Sequence, residues 1–259
     1  MKLLRAMAAS FSLYSRFPTP RFQWTEDDFR RCLVFLPCVG LAIGAIILGV
    51  AALFNVVEIP LIGRMTILSA IPLLATGGFH VDGFLDVQDA LRSYRSRDEK
   101  LAIMKDPRVG AFAIVSLLTY ALIWTASLSV ALDAGRFSDV AIFALSFFVV
   151  RALCGATSLR LPKARQDGML ERETKDAGDS DFWLLAGQAL VGAAAAIALD
   201  VWAGTSCVLA LAVFTALHGR LCLREFGGVT GDTAGHFVVA AENVALTSIA
   251  LAILIRGAL

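Results

Sequence analysis

Seven stretches of this chain are apolar for about as long as an α-helix needs to cross a bilayer, and no other feature limits its fold so strongly. They cover 33–56, 60–78, 109–132, 138–159, 182–199, 201–218 and 237–255. About 20 apolar residues span a hydrocarbon core of about 30 Å. Only a helix or a closed barrel satisfies its backbone hydrogen bonds there. The expected fold is therefore all-α: a polytopic transmembrane bundle of about seven spans. An amphipathic segment at 3–17 should lie along the membrane interface. Composition agrees, since 58% of residues are hydrophobic and 17% charged, whereas soluble domains are about a quarter charged. A net charge of +1 excludes a nucleic-acid binder held by a basic field. Five cysteines, none in a CxxC pair, read as small buried hydrophobes. The basic start lacks the continuous apolar core and small-residue cleavage site of a signal peptide.

Basic residues set the expected orientation. Nineteen Lys and Arg fall before the first span or in the loops 80–108, 158–181 and 219–236. Three, Arg64, Arg136 and Arg256, fall on the opposite side, and Arg151 lies within the fourth span. By the positive-inside rule the N-terminus and those three loops face the cytoplasm, and with seven spans the C-terminus faces out. The whole of 1–259 is read as one integral domain of the cell inner membrane. Glycines at 40, 44, 49 and 110 suit close approach of helix backbones.

Chemistry concentrates in the loops of one side. In TGGFHVDGFLDVQD, Asp82, Asp86 and Asp89 are spaced i, i+4, i+7, which on a helix puts them within about 60° of one another. Such acids are tolerated when solvated, paired with bases, or bound to a divalent cation. All-oxygen ligands favour Mg²⁺ or Mn²⁺ over zinc, and Mg²⁺ usually bridges a few carboxylates to substrate phosphates. A solvated acidic helix start is the competing reading. Gly77 and Gly78, just before, allow a sharp turn and close approach to a ligand. In EKLAIMKDPRVG, Lys105 and Asp106 offer a phosphate contact and a metal ligand, or only a snorkelling lysine and a helix-ending Asp-Pro. In FGGVTGDTAGHFVVAAE a second Gly-Gly leads through Gly228, Thr230 and Gly231 to Asp232, which is either a site residue or a helix cap. Glu242 falls within the seventh span, where an ionisable group is costly and functional by default. Arg151 carries the same implication and needs a partner. Arg16, Arg160, Lys163 and Arg165 are further candidate phosphate contacts, although positive-inside topology alone would explain the last three. His80 and His236 adjoin the acidic motifs as accessory hydrogen-bonding groups.

These motifs carry a resemblance. TGGFHVDGFLDVQDA, LAIMKDPRVGAF and GGVTGDTAGHFVVAAEN, with SRFPTP and FLPCVGLAIG before them in the same order, resemble the cobalamin synthase family over essentially the whole chain. The resemblance implies an adenosylcobinamide-GDP ribazoletransferase. That enzyme joins adenosylcobinamide-GDP to α-ribazole or its 5′-phosphate, requires Mg²⁺, and yields adenosylcobalamin (or its phosphate) and GMP. It implies roles for Arg16, His80, Asp82, Asp86, Asp89, Lys105, Asp106, Gly231, Asp232 and Glu242. Asp82, Asp86, Asp89, Asp106 and Asp232 are the candidate metal ligands, and Asp82, Asp89, Lys105 and Asp232 the candidate catalytic groups. Arg16, Gly77, Gly78, His80, Arg151, Gly228, Thr230, Gly231 and Glu242 are the candidate substrate contacts. Expected partners are those two substrates and the bilayer, with a homo-oligomer or a complex with other late cobalamin-pathway enzymes as further expectations. The chain departs from the family pattern at Ala90, Pro107, Ala113, His236 and Val239. Other Mg-dependent membrane phosphotransferases or prenyltransferases are one alternative, but DGFLD has Leu85-Asp86 where CDP-alcohol phosphotransferases need DGxxA followed by Arg. A transporter is another, yet it would place its polar groups near the midplane.

Overall fold

The computed structural model describes residues 2–20, 23–29, 31–166 and 168–258. Asp167, within the third of the four polar segments, lies outside the described residues. The order of helices is α1 (Lys2–Tyr14), α2 (Glu26–Phe29), a 3-10 turn (Cys32–Phe35), α3 (Leu36–Leu53), α4 (Leu61–Thr76), α5 (Phe79–Arg92), α6 (Arg97–Ile103), α7 (Ala111–Asp133), α8 (Phe137–Arg160), α9 (Met169–Thr174), α10 (Asp179–Leu199), α11 (Val201–Glu225) and α12 (Gly231–Ala258). The protein is a polytopic helical bundle, as its apolar runs require.

Among the described residues six spans are single helices: α3 with its preceding 3-10 turn, α7, α8, α10, α11 and α12. The second differs. At 16 residues α4 reaches only about 24 Å at 1.5 Å per residue. The chain then bends by 92° into α5. Gly77 and Gly78, at φ 64° and 82°, occupy the left-handed region that side chains with a Cβ avoid. The bent pair still links the two ends of the bundle. Near the start of α4, Arg64 lies over Phe54 and shares a cavity with Arg136. Beyond α5, Lys100 pairs with Glu225 at 2.5 Å.

The two ends have different polar chemistry. At one end Arg136 and Arg256 converge on Asp200 at 2.8 and 3.0 Å, and Arg256 also pairs with the fully buried Asp139. Asp200 caps α11 through the N–H of Ala203, making the tight hairpin expected between the fifth and sixth spans. The other end gathers α1, α6, α9 and the turn before α12. There Arg97 donates to the Phe226 carbonyl, and residues 162–164 pair with Val229 through backbone hydrogen bonds. All four polar segments with the basic excess thus share one end.

Small residues set the packing. An added Cβ at Gly40 would meet the backbone of Phe147, and one at Gly44 that of Ala144, so α3 and α8 lie in backbone contact. Gly49 has open space around it and carries no such duty. Around that contact Ile43, Ile47, Phe143 and Phe147 form the buried centre.

A candidate active site at the crossing of the fifth and twelfth helices

Helices α5 and α12 cross at two glycines. A Cβ on Gly83 would stand 2.8 Å from the Asp232 carbonyl oxygen, and one on Gly235 3.1 Å from that of His80. This close approach puts Asp82 and Asp232, 150 positions apart in the sequence, on the wall of one cavity of about 200 Å³. Thr230, Gly231, Lys163 and Arg165 share that wall. The charges of Asp82, Asp232 and Asp89 all bear on Asp86, and only Arg165 among the main influences opposes them.

Local chemistry explains which acids are available. Thr230 and Thr233 exchange hydrogen bonds, Thr233 N to Thr230 Oγ1 at 3.1 Å and Thr230 N to Thr233 Oγ1 at 2.8 Å. Thr230 is therefore the cap of α12, and Asp232 is left to the cavity. Asp232 Oδ2 lies 3.4 Å from both Arg165 Nη1 and Thr230 Oγ1. Arg165 is fixed on its other side by donating to the Leu101 carbonyl. Asp89 is engaged differently. It accepts from Gly110 N at 2.5 Å and Ala113 N at 2.9 Å, capping α7 from a separate helix. Asp106 bonds Arg108 at 2.7 Å, which draws its carboxyl down to about 2. Lys105 stands exposed on the same turn after α6.

Of the remaining candidates, Arg16 packs over Gly77, where a Cβ would collide with its guanidinium. Its backbone N–H donates to the Ala75 carbonyl at 2.7 Å. Gly78 has free space beside it, and Gly228 lies against the backbone of 162–164. Arg151 finds the partner its burial demands, Glu242 at 2.7 Å. That pair and His80 line a second cavity, apart from the acidic one.

Three groups gain importance beyond the sequence motifs. Gly83 sets the helix crossing, and its only signal is a glycine inside an otherwise helical acidic motif. Lys163 donates to the carbonyls of Ser158 and Leu161, closing the end of α8, and burial holds its ammonium below the usual range. Glu173, 4% exposed, accepts from Tyr14 Oη at 2.6 Å, which ties α1 to α9. Burial pushes its carboxyl up to about 7. Nothing in its surroundings in the sequence marks it.

The oxygen donors suit a hard cation. Among the described residues no group of three His, Cys, Asp or Glu side chains is arranged to hold a metal unaided. That arrangement is compatible with Mg²⁺, which keeps several waters and binds through one or two carboxylates plus substrate phosphates.

A family model described as cobalamin-5-phosphate synthase matches residues 6–250. The adenosylcobinamide-GDP ribazoletransferase of Lachnoclostridium phytofermentans is 30% identical, covering 97% of this chain and 95% of its own. Proteins of the same description from Geobacillus kaustophilus and Geotalea daltonii are 33% and 31% identical, over 91% and 90% of this chain and 91% and 92% of their own. No solved structure matches the chain.

Proposed function

The chain belongs to the cobalamin-5-phosphate synthase family, and from that premise we propose that its acidic cavity joins adenosylcobinamide-GDP to α-ribazole or α-ribazole 5′-phosphate with release of GMP. The relatives' shared description supports the activity. The observation that carries the choice of cavity is the Gly83–Asp232 crossing, which brings the acids of two distant motifs together beside Arg165.

In this reading Asp82 and Asp86 would hold Mg²⁺, with Asp232 beside them. When bound, the ion supplies charge stabilisation on the phosphoryl and leaving oxygens. The ribose 3′-hydroxyl of α-ribazole attacks the phosphorus nearer cobinamide. The bond from that phosphorus to the oxygen of GMP breaks, and GMP takes the electron pair. Asp232 Oδ1, the oxygen not turned to Arg165 and Thr230, accepts the hydroxyl proton. Arg165 steadies Asp232 and meets phosphate charge, with Lys163 the second cation on the cavity wall, while Arg16 is held above Gly77, just before α5. Asp89 and Asp106 act from further out, Asp89 by fixing α7 against α5. In this reading the end of the bundle carrying these groups faces the cytoplasm, with the N-terminus inside and the chain in the inner membrane; the basic excess supports that orientation.

The test is direct. Purified protein in lipid is given adenosylcobinamide-GDP, α-ribazole and Mg²⁺, and products are identified by mass. Equimolar adenosylcobalamin and GMP are expected, with turnover lost in excess chelator and restored by Mg²⁺. Absence of GMP release from folded protein contradicts the activity, and full turnover in chelator removes the metal from Asp82 and Asp86.

A further inference from the structure

The second cavity has a chemistry of its own. About 190 Å³ in size, it opens between α4 and α7 beneath the 92° bend and reaches inward to α8 and α12. Its outer wall includes Leu73, Ala121 and Thr125, all exposed on the bundle's flank, at the level of two helices that cross the membrane. The mouth therefore faces lipid. Its inner end is the ion pair of Arg151 and Glu242 at 2.7 Å, residues 1% and 7% exposed.

Among the described residues, two buried hydrogen-bonding atoms of the cleft's lining find no protein partner: Arg151 Nε and His80 Nε2. Leaving such atoms unsatisfied away from water costs free energy. Arg151 and Glu242 cancel each other's charge, so the inner end calls for neither an anion nor a cation. What fits is a neutral group able both to donate and to accept hydrogen bonds, carried on a largely apolar body that reaches the mouth from the membrane side. A primary carboxamide meets that description.

The cavity's position gives the carboxamide a source. His80 and Asp82 lie two positions apart in the first turn of α5, about 200° round the helix and so on nearly opposite faces. His80 lines the lateral cleft and Asp82 the acidic cavity, so the two are separated by the width of one helix. A single large substrate can therefore place an amide-bearing end in one and a diphosphate in the other.

We propose that the lateral cleft binds carboxamide arms of the corrin ring of adenosylcobinamide-GDP, and that this ring approaches from the lipid side. The inference rests on the transferase reading above, from which the substrate is taken. The cleft admits one or two arms, and the macrocycle stays at the mouth.

Adenosylcobinamide itself, which lacks the GDP leaving group and cannot react, is the probe. Its equilibrium binding to the full chain in phosphatidylcholine nanodiscs is compared with that to Ala121→Trp, which fills the mouth without touching the ion pair. Leu122→Trp, on the neighbouring lipid-facing position (73% exposed), is the control. Ala121→Trp should raise the Kd about tenfold, a loss of about 1.4 kcal/mol, and raise KM for adenosylcobinamide-GDP while leaving KM for α-ribazole within about twofold. Leu122→Trp should bind as wild type. The proposal is overturned if wild type does not bind adenosylcobinamide, or if Ala121→Trp binds it equally well. It is equally overturned if native mass spectrometry finds a phospholipid in the cleft that Ala121→Trp expels with no change in corrinoid binding. Wild type that binds adenosylcobinamide yet releases no GMP from the full substrate would contradict the transferase reading instead.

Discussion

Asp89 illustrates how identical side chains on one helix face acquire separate duties. Its spacing from Asp82 and Asp86 is legible in the sequence, but the groups that occupy it are the N–H of Gly110 and Ala113, 21 and 24 positions on. Such a cap depends on tertiary packing and leaves no local pattern. Asp89→Ala should cost about 1 kcal/mol or more, the range for a lost helix cap, seen as a lowered unfolding temperature in detergent. An unchanged unfolding temperature would deny the cap. Glu173 makes a second prediction at this scale. Burial raises its folded pKa to about 7 from an ordinary 4.5, so its contribution to stability is complete below about pH 4.5 and is lost as pH rises through 7. The wild type should accordingly lose stability between about pH 4.5 and 7 relative to Glu173→Gln, by an amount of order 3 kcal/mol. Parallel stability curves for the two proteins would show that Glu173 is not the titrating group.

At the scale of helices, the crossing of α5 and α12 decides whether the site exists. Gly83 meets backbone rather than a side chain, so a larger residue there must push the helices apart instead of displacing a flexible neighbour. Gly83→Val should cut turnover at least about tenfold, consistent with the penalty for misplacing reacting groups by about 1 Å, while helical content by circular dichroism stays the same. Turnover near wild type would mean that the acids work without this contact. Much of the element layout follows from the sequence, because apolar length fixes where helices cross. The ends follow less well. The sixth apolar run stops at 218, yet α11 continues to Glu225, where Lys100 pairs with it. The seventh run starts at 237, yet α12 begins at Gly231 under the Thr230 cap. Hydropathy records the membrane boundary, whereas caps and ion pairs set where a helix stops. The paired glycines at 77 and 78 signalled a turn, but its 92° angle depends on how α5 packs against α7 and α12.

Across the whole molecule, the four polar segments with the basic excess share one end and the Asp139–Asp200–Arg256 network closes the other. Reporter fusions at residues 95, 170 and 230 should therefore all score on the same side, the cytoplasmic one. A periplasmic score at 95 would remove the acidic cavity from the compartment of cellular nucleotides. The shared end was legible from basic residues alone, and the resemblance named the motifs. What neither supplied was the division of the candidates into an acidic cavity and a lateral cleft, since this depends on which face of α5 each residue occupies after the bend. The central claim is that Asp82 and Asp232 act as one site. Its most direct test is a double-mutant cycle on GMP release, using Asp82→Asn, Asp232→Asn and the double mutant in lipid. Each single substitution should lower turnover at least about a hundredfold, the loss expected when a positioned charged group is removed. The double mutant should be little worse than the poorer single, because groups acting as a unit are non-additive. Losses that multiply fully, or an Asp232→Asn protein as active as wild type, would contradict the account.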